Sequence, residues 1–146
     1  MKKWFVSVLL AGAGAGACAT GTTWFTVVGN PIDPKVDTVE VDPVAITTAG
    51  GVKNMYMRVN RSKQRLNWDK LPYRSYEARI AFDCNAKKGD YMIATFYPEP
   101  LWTGLPVITT DYSDAPKPLQ LRDMEPNPTD RIIRAACRPS EPRKAS

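Results

Sequence analysis

Arg74-Ser75-Tyr76-Glu77-Ala78-Arg79-Ile80-Ala81-Phe82-Asp83-Cys84 is the stretch that decides the fold. Tyr76, Ala78, Ile80, Phe82 and Cys84 alternate with Ser75, Glu77, Arg79, Ala81 and Asp83, and a period of two over that length specifies a strand with one buried face. The same alternation aims Cys84 at the core. A turn at Lys87-Lys88-Gly89-Asp90 then returns the chain into a second run, Tyr91 to Tyr97, so the two runs pair as a hairpin.

Working outward toward the N-terminus, Val52 to Asn60 places Met55, Met57 and Val59 on one face and Asn54, Tyr56 and Arg58 on the other, which reads as a further strand. From Arg58 to Lys70 the chain is basic, with no acid until Asp69, and reads as a hairpin loop carrying Arg58, Arg61, Lys63 and Arg65. Val36 to Asp42 is a short strand with Asp37, Glu40 and Asp42 turned outward, ended by Pro43. Trp24 to Val28 is β-branched and aromatic and runs into the turn signals Gly29-Asn30-Pro31 and Asp33-Pro34, so it is the first strand.

Toward the C-terminus, Leu105 to Thr110 supplies one more strand, and Pro116, Pro118, Pro126 and Pro128 mark an irregular connection. Asn127-Pro128-Thr129-Asp130 then offers a cap, a proline at the first helical position and an early acid. A short helix over Arg131 to Cys137 follows. Its Ile132, Ile133, Ala136 and Cys137 share one face, with Arg131, Arg134 and Arg138 opposite. The fold class is therefore α+β: a mainly antiparallel sheet with a short C-terminal helix packed on it. The tail 139–146 is polar and proline-containing and reads as disordered.

The N-terminus has its own logic. Lys2 and Lys3 precede an apolar run from Trp4 to Leu10, an Ala/Gly repeat and small residues, the pattern of a secretory signal peptide over residues 1–19. The run is shorter than the roughly 20 residues a membrane span needs. Ala17-Cys18-Ala19 fits cleavage after Ala19, whereas Ala15-Gly16-Ala17-Cys18 resembles a lipobox in which Cys18 becomes a lipidated first residue. Both routes remain open. Either one removes Cys18 from thiol chemistry and leaves Cys84 and Cys137 as an even pair in an oxidising compartment, where a disulfide is the expectation and two free buried thiols the alternative. Residues 20–138 form the one domain the length allows.

Composition narrows the function. The formal charge of +5 falls to +3 once Lys2 and Lys3 leave with the leader. That mild excess comes with neither a helix-turn-helix nor an RNA-binding signature, so nucleic acid is not an expected partner. The chain contains no histidine, which excludes Ser-His-Asp and Cys-His catalysis and histidine-containing metal sites. No phosphate loop, metal-ligand set or cofactor motif is present, and no cofactor is expected.

Trp24, Val41-Asp42, Tyr73-Arg74-Ser75 entering a strand that closes on Phe82-Asp83-Cys84, then Tyr97, Gly104 and a closing Pro126-Asn127-Pro128-Thr129 before Arg134-Ala135-Ala136-Cys137 succeed one another in an order that resembles the surface-adhesin protein E-like family. The likeness runs from Trp24 to Cys137. It departs at Asn127-Pro128-Thr129, where the family usually has Gly-Ser, and at Tyr112, where it usually has tryptophan. The resemblance implies an antiparallel sheet with a C-terminal helix held by the disulfide, exported to the periplasm or outer surface. The family's namesake adheres to host matrix and plasma proteins.

Three functional classes follow. The first is a non-catalytic binding module for a host matrix protein, an acidic polysaccharide or another macromolecule. Its candidate patch is Arg58, Arg61, Lys63 and Arg65 with Trp68, Tyr73 and Tyr56 as flat anchors; the plain alternative is a solvated loop. The second is a structural or assembly component of the envelope, attached to the membrane only through a lipid on Cys18. The third, an enzyme using Asp37, Glu40 and Asp42 as an acid site, is weighed against an outward polar face, which is preferred.

Overall fold

The structure, a computed structural model, describes residues 23–139. The expected leader, Cys18 and the tail after Pro139 lie outside the described residues. Among the described residues eight strands form one antiparallel sheet: β1 (Phe25–Val28), β2 (Thr38–Val41), β3 (Thr47–Ala49), β4 (Val52–Leu66), β5 (Pro72–Asp83), β6 (Lys88–Tyr97), β7 (Ile108–Asp111) and β8 (Lys117–Pro118), followed by helix α1 (Thr129–Ala136). The strand order is β1-β2-β4-β5-β6-β7, with β3 added to the start of β4 and β8 to the start of β6. The fold is the expected mostly antiparallel sheet with one short C-terminal helix.

The alternating stretch becomes β5, at the centre of the sheet. Tyr76, Ala78, Ile80 and Phe82 are buried on its front face, opposite Val59, Met57, Met55 and Lys53 of β4. Val39, Val41, Ala94, Phe96 and Tyr91 extend that face into the neighbouring strands. The β5–β6 turn falls at Cys84–Lys87, three residues before the expected position. Gly89 consequently lies in β6, where an added Cβ would meet Ile80, Leu119 and Phe82 side chains at 3.2 Å. A larger residue there is tight, and those three side chains would have to give by a few tenths of an ångström to admit it.

The basic segment is not a loop. β4 runs on through Arg61, Lys63 and Arg65 to Leu66, and the turn is only Asn67–Lys70. Pairing with β5 slips within it: Asn60 faces Ser75 and the next matched pair is Arg65 with Tyr73, so β4 spends five steps where β5 spends two. Such a bulge bends a strand and re-aims its side chains. The acids of β2 are likewise corrected: Glu40 is buried, not outward, because β2 is covered on both faces.

α1 lies across the sheet near β1 and β2 and buries Ile132, Ile133 and Ala136. Cys137 caps it and is joined to Cys84, with Cα atoms 5.6 Å apart. Lys53 Nζ, reaching from β4, donates to the carbonyl of Arg138 at 2.9 Å, a basic group at the helix's negative end. Of the helix arginines, Arg131 donates to the Val27 carbonyl at the β1 edge, while Arg134 and Arg138 are exposed. The proline-rich connection between β7 and α1 crosses the front face instead of looping away, and its Tyr112, Leu119, Met124 and Pro128 are buried.

Candidate functional site

The residues expected to form one patch divide between the two faces of the sheet. Arg58 points to the back. Its guanidinium carbon sits 4.4 Å from the Trp24 ring centroid and 4.0 Å from that of Trp102, between the two rings. Its Nε donates to Glu40 Oε2 at 2.6 Å, and Glu40 Oε1 accepts from Thr26 at 3.1 Å. Trp102 is fixed in turn by its indole N–H, which donates to the Tyr76 carbonyl, and by its backbone N–H, which donates to Ser75 Oγ. This stack is a structural pin, with the Arg58 Nε and both Trp102 N–H donors committed. Tyr56 lies on the same face, exposed.

Arg61 points to the front, and at 2% exposure it is not part of a surface patch. The physical reason is parity: Arg61 continues the Met55, Met57, Val59 series, so β4 carries it to the core side. Burial there requires compensation, and Arg61 receives it from Asp37 at 3.2 Å and, through both terminal nitrogens, from Asp123 at 3.3 and 2.9 Å. Burial alone would raise the Asp123 carboxyl, but the Arg61 guanidinium beside it holds it below the usual carboxylate range. Arg65 lies 3.6 Å from the same carboxylate. Lys63 is exposed on β4 and, among the described residues, has no acid within ion-pair distance.

Above Arg61 opens a cavity of about 490 Å³. Three segments build it. The β4–β5 turn contributes Leu66, Asn67, Trp68, Lys70 and, one step into β5, Tyr73. The middles of β5 and β6 contribute Tyr76, Tyr91 and Phe96. The third wall is Pro118 and Gln120 to Asp123. The turn is rigid because Asn67 Oδ1 accepts from the N–H groups of Asp69 and Leu71, both at 2.9 Å, an arrangement in which an asparagine side chain mimics a backbone turn. Lys70 completes it at φ 63°.

Aromatic contacts order the walls. Trp68, 43% exposed, meets Tyr91 edge-to-face at 5.0 Å and Tyr112 at 5.3 Å, so it stands at the mouth already oriented. Tyr73 packs on Tyr76 and Phe96 at 5.6 and 5.1 Å. The Tyr76 and Tyr91 hydroxyls are hydrogen-bonded at 2.5 Å, and burial pushes both phenols upward. Burial also raises Tyr73, against the opposing pull of Arg61. These phenols therefore keep their protons at neutral pH.

Of the residues singled out in the sequence, the structure therefore brings Arg61, Trp68 and Tyr73 into one cavity, sets Arg65 behind it on Asp123, and sends Arg58 elsewhere. Sequence reading missed Tyr76, Tyr91, Phe96, Lys70, Gln120, Arg122 and Asp123 as site residues. Tyr76 read as core because it alternates with polar neighbours, and Tyr91 and Phe96 were read only as part of the second hairpin run. Asp123 carries no local signal, since only the fold sets it against Arg61.

The fold and the cavity define a small disulfide-stapled, β-rich module with a tyrosine-lined cavity beside the β4–β5 turn. The chain belongs to the surface-adhesin protein E family, whose model matches residues 24–138. Membership implies an exported, cell-surface protein that acts by binding a macromolecule and not by catalysis. Neither the curated proteins nor the solved structures compared with the chain contain a match.

Proposed function

We propose that this protein is a non-catalytic adhesin that grips a host matrix or plasma protein, an acidic polysaccharide or another macromolecule through the mouth of the Trp68–Tyr73 cavity. The observation that carries the reading is the convergence of an oriented, half-exposed Trp68 with Tyr73 and the basic rim Lys70 and Arg122. Aromatic rings held in place before contact lose little freedom on binding, and such anchors dominate recognition surfaces. Export by the leader at residues 1–19, with or without a lipid on Cys18, completes the reading and sets the protein in the periplasm or on the outer membrane.

Immobilised vitronectin and immobilised heparin test it. The expected outcome is retention of the mature protein on at least one surface, lost in a Trp68→Ala, Lys70→Gln variant that keeps its circular dichroism. Equal retention of that variant rules out this cavity as the contact. A second reading, a structural component of the envelope, is favoured by the Trp24–Arg58–Trp102 stack, which spends an arginine and two tryptophans on rigidity. Protease accessibility on intact cells separates the two: a protected protein is periplasmic and structural.

A further inference from the structure

We infer that the unit entering the cavity is an acidic sugar, a pyranose ring bearing a carboxylate; this deepens the adhesive reading and rests on the cavity being the contact.

Three observations select that chemistry. The charge balance comes first. Inside, Arg61 and Arg65 are answered by Asp37 and Asp123. At the rim, Lys70 and Arg122 are both exposed, and among the described residues neither has an acid within ion-pair distance. Among the lining residues the unspent charge is therefore positive and sits at the mouth, where a carboxylate can be met without desolvating a buried ion pair; the exposed Asp69 of the turn lies outside that lining.

Shape and wall chemistry come next. An aspartate or glutamate side chain is a carboxylate on a narrow stem, and it would leave most of a cavity of about 490 Å³ empty and its rings uncovered. A pyranose presents a flat face of C–H groups, which the electron-rich face of an aromatic ring attracts, and an edge of hydroxyls that both donate and accept. Trp68 and Tyr73 supply the rings, while Gln120 at the opposite wall supplies an amide able to answer both kinds of hydroxyl contact.

Rigidity is the third. Trp68 is clamped by Tyr91 and Tyr112, and its turn by Asn67, so the stacking surface exists before any ligand arrives. Sugars are strongly hydrated, and only a preformed site recovers enough of that lost hydration to hold one.

The test is a chemical-shift titration of the ¹⁵N-labelled mature protein, disulfide intact, with three probes: glucuronate, its neutral counterpart glucose, and N-acetyl-aspartate amide as a short acidic peptide mimic. Glucuronate is expected to shift the Trp68 indole N–H and the backbone of Asn67 to Lys70. Glucose should bind at the same signals about tenfold more weakly, the loss of one charge-assisted hydrogen bond. A Lys70→Gln, Arg122→Gln variant, changed only at exposed side chains, should lose the preference for glucuronate and keep the weak binding of glucose. Shifts with N-acetyl-aspartate amide but none with glucuronate overturn the inference in favour of an acidic peptide, and no shifts with any probe overturn it outright. Glucuronate binding in a protein whose retention on immobilised vitronectin and heparin survives cavity mutation supports the sugar site while removing its adhesive role. The converse, retention lost in cavity variants without glucuronate binding, overturns the sugar and leaves the adhesive reading standing.

Discussion

Arg61 sits in a far drier place than either of its acids: its side chain is 2% exposed, that of Asp37 28% and that of Asp123 46%. This asymmetry decides which partner is costlier to lose. Removing the arginine leaves two carboxylates that water can reach, and Arg61→Met keeps the aliphatic stem, so we expect a loss of only about 1 kcal/mol. Removing both acids by Asp37→Asn, Asp123→Asn strands a buried cation and should cost about 3 kcal/mol. Urea unfolding of the two variants should rank them in that order. Arg58 differs because two of its three partners are rings, Trp24 and Trp102, beside Glu40. Trp102→Phe retains a stacking face but loses the indole N–H bond to Tyr76, a cost of about 1 kcal/mol, whereas Trp102→Ala loses both and should cost about 2–3 kcal/mol. The same unfolding measurement reads that difference.

At the scale of elements, α1 is the one most dependent on a covalent link. It has eight residues, too few to be stable alone in water, and its stability comes from the face of Ile132, Ile133 and Ala136. The 53-residue separation between Cys84 and Cys137 makes the staple worth about 4 kcal/mol at most by loop entropy. A Cys84→Ser, Cys137→Ser variant should unfold at correspondingly lower urea, and its amide exchange should speed up first over Thr129–Ala136. Central β5 amides should respond only through the drop in global stability. Ile132→Ala, at a site with no exposure, should cost about 3 kcal/mol even with the disulfide intact. If exchange in the helix is unchanged in the cysteine variant, packing alone holds it.

For the whole molecule, the titrating groups set the pH window of stability. Asp123 has its carboxyl lowered in the folded state, so the unfolded chain takes up the proton first on acidification. Its contribution is present at neutral pH and fades as pH falls below about 4. Tyr76 and Tyr91 are raised above the ordinary 10.0, so on the alkaline side the unfolded chain releases its phenolic protons first, and stability declines as pH rises past that value. Urea midpoints measured across pH should therefore form a plateau with losses at both ends. Without a histidine, no side chain with an ordinary pKa near neutrality breaks that plateau. A step between pH 6 and 8 would mean that a neutral-range group governs folding.

Much of this architecture was legible in the residues themselves. Strict alternation from Tyr76 to Cys84 reports a half-buried strand because the side-chain period of a strand is two, and the cysteine parity and export logic paired Cys84 with Cys137. The helix was visible from its apolar face, but it starts at Thr129, before the expected Arg131, and Pro128 is its N-cap and not its first helical residue. β3 and β8 were not, being three and two residues long, below the length at which a pattern exists. Nor was the cavity. A run of basic residues looks alike whether solvated or buried, and what carried Arg61 inward was its register with Met55, Met57 and Val59 together with two acids, one of them 62 positions away. Charge neutralisation of that kind is a matter of distance in space, which a linear chain does not contain; the tertiary structure alone decided which arginine is core, which is pinned between rings, and which aromatic side chains face one another across an open space.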